Sequence, residues 1–178
     1  MKNIFTLIIA LSSGFLFSQV AIGKTTMSSP SVSLEFGAGN KGMILPWVTS
    51  TAAVTNVVDG TMVYDLTDKK VKVKYTAGWK DFSIKPSGST VDTITSIDGV
   101  VIQNTANENT SAKTAIGTLS TTLGILVLED SNKAMVLPKV ASPHLNIINP
   151  SPGMIVYDTF NKQLAIFNGR DWSFWKAS

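Results

Sequence analysis

The stretch GTMVYDLTDKKVKVKYTAGW at residues 60–79 returns as GMIVYDTFNKQLAIFNGRDW at residues 153–172, ungapped, at a constant offset of 93 residues. Six of the 20 positions are identical: Gly60/Gly153, Val63/Val156, Tyr64/Tyr157, Asp65/Asp158, Lys69/Lys162 and Trp79/Trp172. Upstream, NKGMILPWVTS (40–50) matches NKAMVLPKVAS (132–142) at seven of 11 positions, at an offset of 92, so that Pro46 and Pro138 coincide. Two matches in the same order mark an internal duplication, and whatever one copy folds into, the other must fold into as well. The one-residue difference falls in the connecting segments 47–59 and 139–152, where an added residue costs little closure entropy.

Each copy reads as β. MILP and MVLP are short apolar strands ended by a proline that cannot continue a ladder. TMVY and VKVKY flank DLTDKK, a polar turn opened by an aspartate, which is hairpin chemistry. Val71, Val73 and Tyr75 fall on one face with Lys70, Lys72 and Lys74 on the other, a period of two. The lysine row reads as a solvated face that also discourages edge-to-edge aggregation. In the second copy Ala165 and Phe167 replace two of those lysines, so that face is expected to be covered by another chain or by the first repeat. Trp79 and Trp172 close the two hairpins and are expected to plug their open ends. Trp47 and Trp175 have no such counterpart, which makes them the candidate ligand-binding aromatics.

The rest of the chain fits around these blocks. Lys2 followed by the apolar run Ile4–Phe17 reads as an export leader over residues 1–23, with Ser18 before Gln19, or Ala21-Ile22-Gly23, as the small residues at which it is cut. The run is too short and too interrupted to span a bilayer, which takes about 20 apolar residues. No later segment is apolar enough to span. The first β repeat module is expected over 24–86, a linker over 87–124 and the second module over 125–178. Residues 87–122 contain 17 Ser, Thr or Asn among 36, so the linker is Ser/Thr-rich. Within it TVDTITSIDGVVI (90–102) alternates polar and β-branched residues and can form a strand, whereas NTANENTSAKT (104–114) reads as an exposed loop. The expected fold is therefore mainly β: two related small β-hairpin modules joined by a β-prone linker, with little helix after the leader. TAAVTNVV, after Trp47, is the best short helical candidate.

Composition narrows the chemistry. The formal net charge is +3, carried by dispersed lysines and a single arginine, Arg170, which is no footprint for nucleic acid. With no cysteine there are no disulfides, thiolate metal sites or lipid-anchored N-terminus. The one histidine, His144, sits in the proline-flanked connector ASPHLNIINPSPG, and no G-x-S-x-G element accompanies it. Asp65 with Asp68, and Asp158 with Asn161, lack the oxygen density of a calcium loop and read as turn stabilisers. No catalytic residue, metal site or cofactor is expected.

The repeat pattern resembles a module of secreted and cell-surface proteins of flavobacterial type and of parts of phage tail-fibre proteins. The resemblance is carried by a G-hydrophobic-L-P strand, then G-hydrophobic-hydrophobic-Y-[DN]-T, a lysine, N-G and a tryptophan. The second copy has it at Met135, Leu137, Pro138, Gly153, Tyr157, Asp158, Thr159, Asn161, Lys162, Phe167, Asn168, Gly169 and Trp172. The first copy departs from it, with Leu66 at the threonine position and TAG in place of NG. The resemblance implies a structural or adhesin-like role in extended, commonly trimeric β assemblies, with no catalytic residues. Asp92-Thr93-Ile94 also resembles an O-glycosylation site of exported proteins of that bacterial group, with Thr93 as the modified residue.

A single hairpin is marginal in water, so each copy must bury its apolar face. Either the copies stack along a fibre axis and pair with other chains, or they pack on each other within one chain. The expected function is an exported, non-enzymatic structural or adhesin-like protein acting as a homo-oligomer, a trimer first, or through a cell-surface protein or glycan. The alternative is a monomeric carbohydrate- or peptide-binding module using Trp47 or Trp175.

Overall fold

The computed structural model describes residues 19–85, 87–103, 109 and 112–177. Most of the expected leader, and most of the 104–114 loop, lie outside the described residues. Among the described residues fourteen short strands account for nearly all regular structure, so the chain is mainly β. The first repeat contains β1 (Val20–Ile22), β2 (Val32–Phe36), β3 (Met43–Ile44), β4 (Trp47–Val48), a single 3-10 turn at Thr51–Ala53, β5 (Met62–Asp65), β6 (Lys70–Tyr75) and β7 (Gly78–Asp81). A one-turn helix α1 (Gly99–Gln103) lies between the repeats. The second repeat contains β8 (Thr114–Ile116), β9 (Leu126–Leu128), β10 (Ala134–Val136), β11 (Lys139–Val140), a one-turn helix α2 (Pro143–Asn146), β12 (Met154–Asp158), β13 (Gln163–Phe167) and β14 (Trp172–Trp175).

The two copies share their parts in the same order. β4-β5-β6-β7 form one sheet and β11-β12-β13-β14 another, each a hairpin meander with a short parallel strand on its outer edge. The prolines end β3 and β10 as expected, but the chain resumes at once. The Pro46 carbonyl accepts from Tyr64 N and the Pro138 carbonyl from Tyr157 N, both at 2.8 Å, which seats β4 and β11 on their sheets. The hairpin turns are built alike. Asp65 accepts from Thr67 N at 2.8 Å, Asp158 accepts from Phe160 N and Asn161 N, and Lys69 and Lys162 take left-handed φ of 57° and 54°. An aspartate that caps its own turn offsets the cost of a non-glycine residue in that region.

The duplication reaches further upstream than residues 24 and 125. β1 pairs parallel with β2, and β8 pairs parallel with β9. Both first strands end in Ala-Ile-Gly, at 21–23 and 115–117. Ile22 O accepts from Gly37 N at 2.7 Å, and Ile116 O accepts from Glu129 N at 2.8 Å, the same bond in each copy. Residues 20–22, read from sequence as part of the leader, are thus a strand of the first repeat, and residues 114–116, read as linker, are the matching strand of the second.

Three sequence expectations change or narrow. The 90–102 segment is not a strand: Val91 and Asp98 form only an isolated bridge, and the Asp98 carboxylate accepts from Val100 N at 3.0 Å, opening α1. The Ala165 face is covered mainly from within its own repeat, with Gly42 of the first repeat lying against the Met154 and Val156 side chains. Val140 and Ile147 of the second repeat pack there with Met154, Val156 and Ala165, flanked by Trp172 and Phe174. The lysine face of β6 is expected to be solvated, yet its lysines are tied to acids: Lys70 to Asp81 at 2.8 Å, and Lys72 to Asp68 at 2.7 Å and Asp65 at 3.2 Å.

Candidate functional site

Of the two arrangements open to the copies, the chain adopts packing of one on the other, with strands exchanged between them. β3 of the first repeat pairs antiparallel with the start of β12 of the second. β10 of the second pairs parallel with β2 of the first. The shared core holds Leu45, Tyr64 and Val71 from one copy and Ile155 and Ile166 from the other, each worth roughly 1.5–3 kcal/mol on burial.

Polar groups lock this interface. Tyr64, fully buried, donates its hydroxyl to Asn168 O at 2.8 Å; burial pushes its phenol up, and Asp68 adds to the shift. Leu45 N donates to Gly153 O at 3.1 Å, and Ile84 N donates to Ser173 Oγ at 2.9 Å. The candidate aromatics belong here too. Trp47 donates Nε1–H to Pro152 O at 2.9 Å and packs on Tyr64 with ring centroids 5.4 Å apart. Trp175 donates to Phe82 O at 2.8 Å and lies 5.3 Å from the Phe82 ring. Phe82 stands where the repeat places Trp175, at the 93-residue offset, so Trp175 does have an aromatic counterpart and the two meet across the interface.

Beside Trp47 opens a cleft of about 400 Å³, lined by Phe167 and Gly169 of the second hairpin, Asn149–Pro152, and Asp92, Thr93 and Thr95 of one turn. Asp92 anchors that turn: hydrogen bonds from Thr95 N, Asn149 Nδ2 and Ile94 N hold its carboxyl at about 2. Thr93 is exposed on the same turn. His144 packs edge-on against Phe174, with centroids 5.6 Å apart, and Trp79 and Trp172 are half-buried at their hairpin ends. Asp65 and Asp158 are buried. Burial pushes the Asp158 pKa up, but donors from Asn161, Ser142 and Gln163 outweigh it and hold the group at about 2. For Asp65 burial is outweighed by Thr67, Lys72 and Thr51, which leave it lowered. No three or more His, Cys, Asp or Glu side chains among the described residues are grouped to hold a metal. No helix among the described residues is long and apolar enough to cross a membrane.

Besides single exposed apolar side chains such as Ile44, Val58 and Phe160, two runs stand out. Leu119, Leu123, Ile125 and Leu126 form one run before and within β9, and Ile94, Ile97, Val101 and Ile102 another around α1. Exposed apolar side chains gathered in this way are candidates for a contact face. Sequence reasoning missed these runs, because whether such residues are exposed depends on which distant neighbours the fold brings beside them.

The fold and these faces define a duplicated, mainly β protein with surface left for association. Residues 102–177, which include the second repeat and part of the segment before it, match the family described as phage tail like trimerisation region. The match bears out the tail-fibre resemblance and supports a structural, self-assembling trimer. No curated protein and no solved structure matches the chain.

Proposed function

We propose that the chain is an exported, non-enzymatic structural subunit that works as a homotrimer in an adhesin-like or tail-fibre-like assembly at the cell surface. The observation that carries the reading is the match of the second repeat to a trimerisation region, reinforced by apolar faces within it, at Leu119–Leu126, that the single chain leaves open. Export rests on the leader. Because Val20–Ile22 are a strand of the fold, processing between Ser18 and Gln19 keeps β1, whereas cutting after Gly23 removes it. The intact mass of the exported protein tests this: a chain starting at Gln19 is expected, and one starting at Lys24 contradicts it. The trimer is tested by light scattering coupled to size exclusion on the exported chain.

The second reading, a carbohydrate- or peptide-binding module, is favoured by one observation: Trp47 and Phe167 both line the 400 Å³ cleft. Trp47→Phe keeps the packing on Tyr64 and gives up the bond to Pro152. Loss of glycan-array binding in that variant, with the fold intact, supports this reading. Trp175 faces the shared core, and Thr93 stands accessible at the cleft rim for O-glycosylation.

A further inference from the structure

Every strand pairing between the two repeats has a counterpart that the single chain leaves empty. β3 occupies one end of β12, with Ile44 opposite Met154 and Met43 opposite Ile155. The equivalent end of β5, Thr61–Met62, is built the same way. Thr61 N bonds Val58 O as Met154 N bonds Ser151 O, and Gly60 N bonds Lys74 O as Gly153 N bonds Phe167 O. Yet β5 has only β4 and β6 beside it. Similarly, β10 lies along β2, with Met135 opposite Leu34, but β9, the counterpart of β2, has only β8.

The surroundings report the same missing neighbour. Leu34 is 2% exposed and its counterpart Leu126 41%; Ser33 is fully buried and its counterpart Ile125 is 60% exposed. A Cβ on Gly153 would sit 3.0 Å from Tyr64 Cβ of the other repeat, whereas one on Gly60 would meet nothing within 4 Å. Ile44, on the uncovered edge of β3, is 50% exposed. A two-stranded parallel sheet such as β8–β9 is marginal alone and is ordinarily covered.

We propose that a second copy of this chain fills these places and repeats the contact that the two repeats make inside one chain. β10 of one copy lies antiparallel on Thr61–Met62 of the next, with Val136 opposite Thr61 and Met135 opposite Met62. In the same contact, β3 of that next copy lies parallel beside β9 of the first, with Met43 opposite Leu126 and Ile44 opposite Val127. The two pairings agree: each repeat gives its proline-ended strand to the following repeat's hairpin sheet and to the preceding repeat's parallel pair, without a break at the chain boundary. The contact is heterologous, so it must close into a ring or run on as a filament. The inference rests on the trimer reading, which sets closure at three copies, and it names the surface that reading needs.

The chain contains no cysteine, so paired cysteines report contacts cleanly. Leu45 N bonds Gly153 O, which makes Ile44–Met154 a closely spaced, non-hydrogen-bonded pair with Cα atoms about 4.5 Å apart, within disulfide range. The Ile44→Cys/Met154→Cys chain is therefore the internal control, and mild oxidation is expected to link it without adding mass. Thr61→Cys/Val136→Cys is expected to link chain to chain, giving dimer and trimer bands on non-reducing gels. Ile44→Cys/Val127→Cys is an independent second variant with the same expectation, should the first fold poorly. A trimer by light scattering whose two inter-chain pairs stay reduced while the control oxidises overturns the proposed surface and leaves the trimer standing. A monomer overturns both.

Discussion

Asp158→Ala removes a buried carboxylate on which five donor atoms converge: the backbone N–H groups of Ser142, Phe160 and Asn161, and the side-chain amides of Asn161 and Gln163. Hydrogen bonds to a charged group contribute about 1.5–3 kcal/mol each, and an orphaned donor costs a similar amount. Water re-enters part of the site from the turn side, so the five do not add. A net loss of roughly 3–5 kcal/mol is expected, in the range of a broken buried network. The loss should be pH-dependent with a definite sign. The folded pKa of about 2 lies below that of an unfolded aspartate, about 3.9. The contribution is therefore present above about pH 4 and disappears as pH falls through about 2. Urea unfolding of the full chain, followed by tryptophan fluorescence at one fixed protein concentration, measures the gap between wild type and variant. A gap under about 1 kcal/mol at pH 7, or one that stays constant down to pH 2, refutes the role assigned to the carboxylate.

Other expectations follow from the repeat interface. Tyr64→Phe should cost about 1 kcal/mol, because Asn168 O keeps a second donor in Ser89 N at 3.2 Å; a loss above about 3 kcal/mol in the same urea assay contradicts that accounting. Ile166→Ala empties a fully buried position in the shared core and should cost roughly 2–5 kcal/mol, and a thermal midpoint unchanged from wild type contradicts its place there. Gly153→Ala puts a Cβ against Tyr64 at a φ of +79° and should prevent or strongly weaken repeat docking. A variant as stable as wild type refutes the close approach.

The sequence carries the hairpins plainly because their signals are local. Val71 and Val73 alternate with lysines, Asp65 and Asp158 cap their own turns, and Tyr64 and Tyr157 recur at fixed spacing. It hides what depends on distant partners. β3 reads as a strand from Met43-Ile44, but nothing in those residues says that its partner lies more than 100 residues away on β12. β1 and β8 were legible in principle through Ala-Ile-Gly at 21–23 and 115–117. Three residues each, at an offset of 94 rather than 92 or 93, sit beside an apolar leader and inside a Ser/Thr-rich stretch that mask them. α1 fails for a different reason: Val100, Val101 and Ile102 favour strand, and the Asp98 carboxylate bound to Val100 N overrides them. Trp175 looked unpartnered because Phe82, its counterpart, is aromatic without being identical.

The strand exchange gives duplication a physical role. A single copy would leave its proline-ended strand without a sheet to join and its hairpin sheet without that strand. Two copies in one chain satisfy half of these needs and leave the other half facing outward at β5, β9 and β10. In the proposed assembly the rest are satisfied by the same contact, and stability would then rise with protein concentration.

The most direct measurement is the absolute mass of the chain from Gln19 onward in solution, by light scattering across a tenfold range of concentration. Three chain masses, held across the range or approached as concentration rises, are the predicted result. A single chain mass throughout contradicts the account.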